Sequence, residues 1–185
     1  MADFFPALDD SHRAFIAKQP VFFVATAAAE ARINLSPRGY DTFRVIDDGT
    51  VAFLDLGGSG NETQAHLAAD GRITIMFCAF DTPALILRIY GHGVAVLPQD
   101  EGFAELAERF PKLPGVRQVF VIRVESVQTS CGWGVPRMTL DKERQTLVKH
   151  HAQQDPAERL AKVAGRDRSI DGLPQRVQAF IPASE

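Results

Sequence analysis

Short runs of β-branched and aromatic residues recur along much of this chain, and turn-forming residues separate them. The runs that predict strands are VFFVATA (21–27), ARINLSP (31–37), TVAFLDL (50–56), RITIMFCAF (72–80), ALILRIYGHGVAVL (84–97) and VRQVFVIRVESVQ (116–128). Most connections between them are of hairpin length, which favours an antiparallel sheet. Because open sheet edges invite aggregation, a small closed barrel is the economical architecture for these strands.

Helical segments are predicted before, between and after these strands. Residues 8–18 form a short helix, and residues 99–110 form an amphipathic helix before the last strand. After Pro136 the composition changes, and residues 139–164 are polar and helix-prone. We therefore expect one mainly β domain over residues 1–185, with its barrel at about 20–136 and a helical C-terminal extension at about 137–185. The extension should pack outside the barrel or on a partner.

The composition narrows the class of protein. With 45% hydrophobic and 23% charged residues the chain is globular, and its net charge of -3 disfavours a general nucleic-acid binder. Charged residues and a proline interrupt the apolar stretch around residues 73–89, so we expect no membrane span. The acidic start MADFFPALDD does not resemble a targeting signal, and the chain has only two cysteines. We expect a cytoplasmic protein without a disulfide.

The segment LDLGGSGNETQAHL (54–67) joins a strand to a helix through a glycine-rich turn. Asn61 is placed to cap this helix, and Gln64 completes a capping-box pattern. The start of a helix offers free N–H groups and partial positive charge, so a phosphate can bind there, and glycines let it come close. The turn matches neither the P-loop nor the dinucleotide fingerprint. A purely structural turn is the alternative.

A second polar segment is NLSPRG (34–39). Alternation along a strand places Asn34, Ser36 and Arg38 on one face, where they offer hydrogen-bond donors. The proline and the glycine shape the turn that follows. The alternative is a polar, solvent-facing strand edge.

In their order along the chain, NLSPRG, LDLGGSGNETQAHL, GRITIMFCAF and LRIYGHG resemble the flavin-binding split-barrel family of pyridoxamine 5'-phosphate oxidase. SCGWGVP (130–136) resembles a motif of one of its subfamilies. The resemblance implies a six-stranded antiparallel split β-barrel that forms a homodimer and holds FMN between its subunits. It also implies an FMN-dependent oxidoreductase acting on a small organic substrate, for which a reduced nicotinamide is a candidate electron donor.

The resemblance assigns residues to the cofactor. They are Asn34, Ser36, Pro37, Arg38, Gly39, Ser59, Asn61, Thr63, Arg88 and Trp133. The first five would lie beside the flavin, the next three near its phosphate, and the last two would come from the partner subunit. Trp133 is either a lid over the flavin ring or a plug in the core. No catalytic residue is assigned, and no metal site is predicted.

The chain departs from the enzymes that oxidise vitamin B6 phosphates. Glu62 and Thr63 stand where those enzymes carry adjacent Arg and Lys, and their C-terminal substrate motif is not visible. Loss of these cations weakens phosphate binding. We therefore expect weaker FMN binding and a substrate other than vitamin B6. Arg38 or Arg72 should supply the missing charge.

Other functions stay open at the level of sequence. They are a flavin-binding or flavin-carrier protein without turnover, a haem- or deazaflavin-binding barrel, and an apo dimer that serves protein interaction. His66 and His92 would be the first haem ligands to test, although each is also interpreted as a packing or surface residue. His150 and His151 are adjacent on a helix and do not share a face, which argues against a metal pair.

Overall fold

The structure is a computed structural model and describes residues 2–179. Its strands are β1 (Ala2–Phe5), β2 (Phe22–Thr26), β3 (Asn34–Arg38), β4 (Phe43–Asp47), β5 (Thr50–Leu56), β6 (Arg72–Cys78), β7 (Leu85–Val96) and β8 (Val116–Cys131). Its helices are α1 (Asp10–Ile16), α2 (Glu62–Ala69), α3 (Phe103–Ala107), α4 (Thr146–Ala152) and α5 (Pro156–Ala164). The mainly β fold class predicted from sequence is confirmed.

All eight strands belong to one sheet, in the order β3-β2-β6-β7-β8-β5-β4, and β1 pairs with β8 outside this path. The pairings are antiparallel throughout. Among the described residues no pairing joins β3 to β4, so the barrel is split between these two edge strands. The split leaves β3, which carries the predicted NLSPRG segment, at one end of the sheet.

Strand alternation explains the core. β2 buries every second residue, whereas β5 is buried along nearly its whole length. Residues 51–54 of β5 form a continuous apolar run because the strand has a layer on each face: the barrel interior on one side, and residues around α3 and Leu147 on the other. The interior includes the rings of Phe22, Phe43, Phe53, Phe77 and Phe120, with centroids 4.8–5.7 Å apart. Each such ring contributes about 1.5–3 kcal/mol by burial.

Gly91, inside β7, marks a close approach of β7 to β8. The register between β7 and β8 shifts between Tyr90 and Gly91. A Cβ atom at Gly91 would lie 2.2 Å from the carbonyl oxygen of Arg123. Gly91 is therefore required by packing of the two backbones at this bulge.

Several elements differ from the sequence prediction. The pattern does not predict β1 or β4, because most of β1 is exposed and β4 is half-buried, so neither shows a clear apolar alternation. The helix predicted at 99–110 is reduced to α3, since Gly102 precedes it with a left-handed φ of 78°. Within the polar segment 139–164, α4 begins only at Thr146. The prediction of a helix over the whole of residues 99–110 is wrong, whereas the helix-prone segment 139–164 does contain two helices, α4 and α5.

Both cysteines are free thiols. Cys78 is a buried free thiol, and its burial raises its pKa. Cys131 is free and exposed at the end of β8. Within residues 2–179, no helix combines the length and the apolar character needed to cross a membrane.

Candidate functional site

A buried polar network joins β3, β5 and β8. At its centre is Asp55 of β5, which is fully buried. Arg117 Nε and Gln118 Nε2 donate to Asp55 Oδ2 at 2.7 and 2.9 Å, and Arg38 donates to Oδ1. Burial alone would raise the pKa of Asp55, but the guanidinium groups of Arg117 and Arg38 outweigh it and hold that pKa below its usual value. Asp55 is therefore an ionised carboxylate that fixes both arginines.

Gln118 extends this network to the start of α2. Its Nε2 also donates to Asn61 Oδ1 at 2.7 Å, and its Oε1 accepts from Gln64 Nε2 at 2.6 Å. The predicted capping box is therefore wrong, because Gln118 engages both side chains that were expected to cap the helix. Within the described part of the chain, the side chain of Asn61 makes no capping hydrogen bond. The first N–H groups of α2 thus have no side-chain cap and can serve an external acceptor.

The polar face of β3 is arranged as predicted. Asn34, Ser36 and Arg38 are half-buried on one face. Asn34 Nδ2 donates to Thr63 Oγ1 at 3.1 Å, and Ser36 Oγ donates to Asn34 Oδ1 at 3.1 Å. Thr63 is only 3% exposed, because this network draws it against β3. Of the predicted phosphate residues, Thr63 therefore belongs to the β3 face rather than to the open side of the glycine turn.

The two arginines expected to supply positive charge are both paired with carboxylates. Arg38 is bound to Asp55, as described above. Arg72 donates to Asp70 from Nε at 2.5 Å and from Nη2 at 2.7 Å, at the end of α2 that is opposite to Asn61. The structure does not bring Arg72 to the glycine turn, because α2 separates the two.

The glycine turn opens onto a cleft of about 690 Å³, whose other wall is the C-terminal extension. The basic side chains in its lining are Arg117, His150, His151, Arg159, Lys162, Arg166, Arg168 and Arg176. Among the described residues that line the cleft, Glu62 is the one carboxylate. The positive charge missing from the turn itself therefore comes mainly from the extension, which is more than 80 residues away along the chain.

Two glycines seat the first helix of the extension against the barrel. His151 Nε2 lies 2.7 Å from the carbonyl oxygen of Gly57. Gly115 has a φ of +84°, and a Cβ atom there would lie 2.2 Å from the His151 ring. Arg166 NH1 donates to the carbonyl oxygen of Ser59 at 3.2 Å. Glycine at position 115 therefore provides both the backbone conformation and the space that docking needs.

The last part of the extension crosses the start of α2. Asp171 accepts hydrogen bonds from the backbone N–H and the guanidinium of Arg32. The N–H of Ile170 donates to Glu62 Oε1 at 3.2 Å. The N–H of Arg176 donates to Gln64 Oε1 at 2.5 Å. These polar contacts close one end of the cleft.

Arg88 and Trp133 lie elsewhere. Arg88 alternates with buried residues of β7, so it points to the outer face of the barrel, where NH1 donates to Ser130 Oγ at 3.3 Å. Trp133 is 86% exposed, so it is not a core plug within this chain. Neither residue lines the cleft. Their predicted contribution to a partner's site stays a prediction.

The remaining predicted residues flank the turns. Ser59 and Asn61 line the cleft. Pro37 is exposed on β3, and an ideal Cβ atom at Gly39 would lie 3.5 Å from the carbonyl oxygen of Pro20. Both residues therefore shape the end of β3 rather than the cleft.

Sequence reasoning missed the centre of the polar network. Asp55 is the one charged residue of β5, a strand that is otherwise mostly apolar, and Gln118 lies among both polar and apolar residues of β8. A charged residue in such a strand is rarely buried without a partner, and that signal could have identified Asp55. Its partners could not be identified in the same way, because Arg117 and Gln118 are 62 and 63 residues away in sequence.

Comparison with known sequences gives matches along much of the chain. The pyridoxamine 5'-phosphate oxidase family model matches residues 8–131. The pyridoxamine 5'-phosphate oxidase family protein ustO of Aspergillus flavus is 38% identical over 151 residues, covering 79% of this chain and 61% of that protein. The chain thus spans less than two-thirds of this relative.

Solved structures show the same fold. A point variant of HupZ from Group A Streptococcus has a TM-score of 0.54 at 21% identity, over 66% of this chain and 98% of that one. A putative pyridoxamine 5'-phosphate oxidase from Lactobacillus delbrueckii has a TM-score of 0.55 at 13% identity, over 66% of this chain and 94% of that one. At such identities the likeness concerns the fold alone. Together, the family match and the fold show that the chain belongs to the pyridoxamine 5'-phosphate oxidase family.

Proposed function

We propose that this protein is an FMN-dependent oxidoreductase whose cofactor phosphate binds in the cleft between the glycine turn and the C-terminal extension. The observation that carries the proposal is the charge of the cleft, in which many basic side chains accompany one carboxylate. An anion is the ligand that such a surface favours. Glu62 carries the opposing charge, but the basic side chains in the lining outnumber it.

The glycine turn offers the donors that a phosphate needs. The start of α2 lacks a side-chain cap, and an added Cβ atom at Gly58 would meet no atom within 4 Å. A helix start contributes about 0.3–1 kcal/mol to binding of an exposed anion. Each hydrogen bond to a charged oxygen contributes about 1.5–3 kcal/mol. A few such bonds, with Arg166 beside Ser59, are enough to hold a phosphate group.

The polar face of β3 offers a fitting donor for the rest of the cofactor. Arg38 Nε is buried and has no hydrogen-bond partner among residues 2–179. Such an orphaned donor is costly unless an acceptor binds it. The carbonyl oxygens and ribityl hydroxyls of FMN are acceptors of the required kind. Asn34 and Ser36 share this face with Arg38.

When bound, the isoalloxazine supplies the redox chemistry, and the protein binds and orients it. Asp55 acts here as a positioning residue, because its carboxylate fixes the guanidinium groups of Arg38 and Arg117. Anaerobic bleaching of the flavin absorbance by a reduced nicotinamide would support turnover. A bound flavin that no reduced nicotinamide and no small organic substrate bleaches would instead support a carrier.

We also propose that the site is completed by a second subunit in a homodimer. Large apolar side chains are exposed on β3 and after β8, with Leu35 66% and Trp133 86% exposed. Burying them against a partner would remove this apolar surface from water. A two-fold dimer is the commonest closed assembly. Sedimentation at micromolar concentration should show a dimer, and a monomer that binds FMN with full affinity would refute the shared site.

The phosphate placement is tested by comparing FMN with riboflavin, which lacks the phosphate. We expect Arg166→Gln to weaken FMN binding by about tenfold or more, since a charged hydrogen bond is lost, and to leave riboflavin binding unchanged. Lys149→Gln is the matched control, because Lys149 lies on α4 of the same extension and does not line the cleft. Equal weakening of both ligands, or no effect on either, would place the phosphate elsewhere. A wild-type protein without affinity for either ligand would refute flavin binding.

A further inference from the structure

The proposed flavin site leaves three neighbouring side chains unexplained. Glu62 and His66 lie one turn apart on α2 and so share a face, and Asp171 reaches them from the C-terminal extension. One potential ligand atom from each residue lies within 4.8 Å of the other two. We propose that these three residues bind one divalent transition-metal ion.

Unpartnered buried atoms are the second observation that points to a ligand. His66 is 1% exposed, and its Nδ1 lies 3.1 Å from Thr26 Oγ1. Its Nε2 is buried without a hydrogen-bond partner among the described residues, and so is Glu62 Oε2. Two orphaned atoms with lone pairs, on residues whose potential ligand atoms lie within 4.8 Å of one another and of Asp171, are the arrangement that a bound cation satisfies.

The surroundings of His66 set the required tautomer. Thr26 Oγ1 already accepts a hydrogen bond from Asn34 Nδ2 at 3.2 Å. Its remaining lone pair can accept a hydrogen bond from His66 Nδ1–H, and the tautomer with its proton on Nδ1 leaves the lone pair of Nε2 free to bind a metal. An outer hydrogen bond of this kind is the usual support of a metal-binding histidine.

The two carboxylates suit a dication. Asp171 is paired with Arg32, whereas no ion pair to Glu62 is found within residues 2–179. Each oxygen of Asp171 accepts from Arg32 but keeps a second lone pair. The group therefore carries an excess of negative charge that a cation would neutralise. It would also neutralise the one carboxylate in the lining of the cleft.

The ligand types indicate the class of metal. One imidazole nitrogen with two carboxylate oxygens suits Zn²⁺, Mn²⁺ or Fe²⁺ better than Mg²⁺ or Ca²⁺, which prefer oxygen alone. Bonds of about 2.0–2.2 Å place two ligands of one zinc ion at most about 4.4 Å apart. A small inward movement of the side chains therefore completes the site. Because Asp171 belongs to the extension, the metal would tie that segment to α2.

The test is metal binding to untagged, chelator-treated protein without FMN. We expect calorimetry to show one tightly bound Zn²⁺ per chain, and Co²⁺ to give a visible absorption band. Asp171→Asn and Glu62→Gln should each weaken Zn²⁺ binding by about tenfold or more, since each removes a ligand. Asp167→Asn is the matched control, because it makes the same change on an exposed side chain of the same loop. His150→Gln controls for metal binding by the surface histidines.

The two ligand variants separate coordination from loosening of the extension. Glu62 lies on α2, so a fall in affinity in Glu62→Gln with the extension still protected from protease supports coordination. Absence of Zn²⁺ binding in the wild-type protein would overturn the proposal, since a water molecule would then satisfy the orphaned atoms. Loss of binding in His150→Gln, with both ligand variants unaffected, would overturn it as well. None of these results depends on whether FMN binds.

Discussion

The barrel and the C-terminal extension are held by different interactions. The barrel buries a continuous apolar core in which five phenylalanine rings are in contact. The extension fully buries no residue of α4: Leu147 packs half-buried against the outer face of β5, and the other contacts are separate polar ones, such as His151 on Gly57 and Arg166 on Ser59. Apolar burial makes the barrel cooperative, whereas individual exposed polar contacts contribute little each. The barrel is therefore a rigid wall of the cleft, and the extension is a wall that can be released.

Charge is also distributed differently on the two walls. On the barrel side, Asp55 forms ion pairs with both Arg38 and Arg117 inside a buried network. On the extension side, Lys162 and Arg166 line the cleft without an ion pair to any residue between 2 and 179. The barrel side is organised before a ligand arrives, and the extension side supplies charge that a ligand can use. Selective changes to each wall test this contrast.

The largest effect is expected from Asp55→Asn. The substitution leaves two partly buried arginines without their counterion, and breaking a buried ion pair from one side costs about 3–5 kcal/mol. Urea unfolding should show this loss in the free energy of unfolding. Asp48→Asn is the matched control, because Asp48 pairs with Arg13 at the surface and should cost at most about 1 kcal/mol. Equal costs for the two variants would contradict the contrast.

The pH dependence of Asp55 gives an independent measurement. Its pKa is held below the usual 3.8, so its contribution to stability is complete above that value and is lost as the pH falls through the folded-state pKa. The difference in unfolding free energy between wild type and Asp55→Asn should therefore be constant at neutral pH and shrink in acid. A difference that grows below pH 4 would show that Asp55 is protonated more readily in the folded protein.

Gly115→Ala should release the extension while leaving the barrel folded. A non-glycine residue in the left-handed region costs about 1–2 kcal/mol, and the new Cβ atom would also displace the His151 ring. Limited proteolysis should cleave the extension faster, and FMN affinity should fall. Gly102→Ala has the same backbone cost, since φ is +78°, but its Cβ atom would meet nothing within 4 Å. Faster cleavage in both variants would show that strain alone explains the release.

The substitution Asn61→Ser distinguishes a helix-capping role of Asn61 from a role in its hydrogen bond with Gln118. Serine caps helices as well as asparagine, so a capping role predicts little change in stability. The shorter side chain cannot replace the bond to Gln118, whose loss should cost about 0.5–1.5 kcal/mol. Thermal and urea unfolding of Asn61→Ser and Asn61→Ala measure the difference. A stable serine variant beside a destabilised alanine variant would restore the capping interpretation.

The smallest effect is expected from Arg72→Gln. Arg72 is paired with Asp70 at the far end of α2, so FMN affinity should stay at the wild-type value. The measurement is the same flavin titration that tests Arg166→Gln. Weaker binding of FMN with unchanged binding of riboflavin would show that Arg72 reaches the phosphate after all.

The sequence by itself determined the strands of the barrel, the common face of Asn34, Ser36 and Arg38, and the family. These features are local, because side-chain alternation, turn residues and short motifs each depend on only a few neighbouring residues. The sequence pattern did not predict β1 and β4, because their partial exposure leaves no clear alternation of apolar and polar residues.

Only the tertiary structure decided which charges surround the glycine turn. Arg166 reaches Ser59 across 107 residues, and Arg32 reaches Asp171 across 139. Such pairings depend on how the extension packs against the barrel, so they cannot be predicted from the periodicity of the sequence. The same reason explains the wrong cap at Asn61, because a side chain with several available partners bonds with the one that folding brings closest. The polar character of the glycine turn could therefore be predicted from its residue types. The partners of these residues could not, because they depend on packing between segments that are distant in sequence.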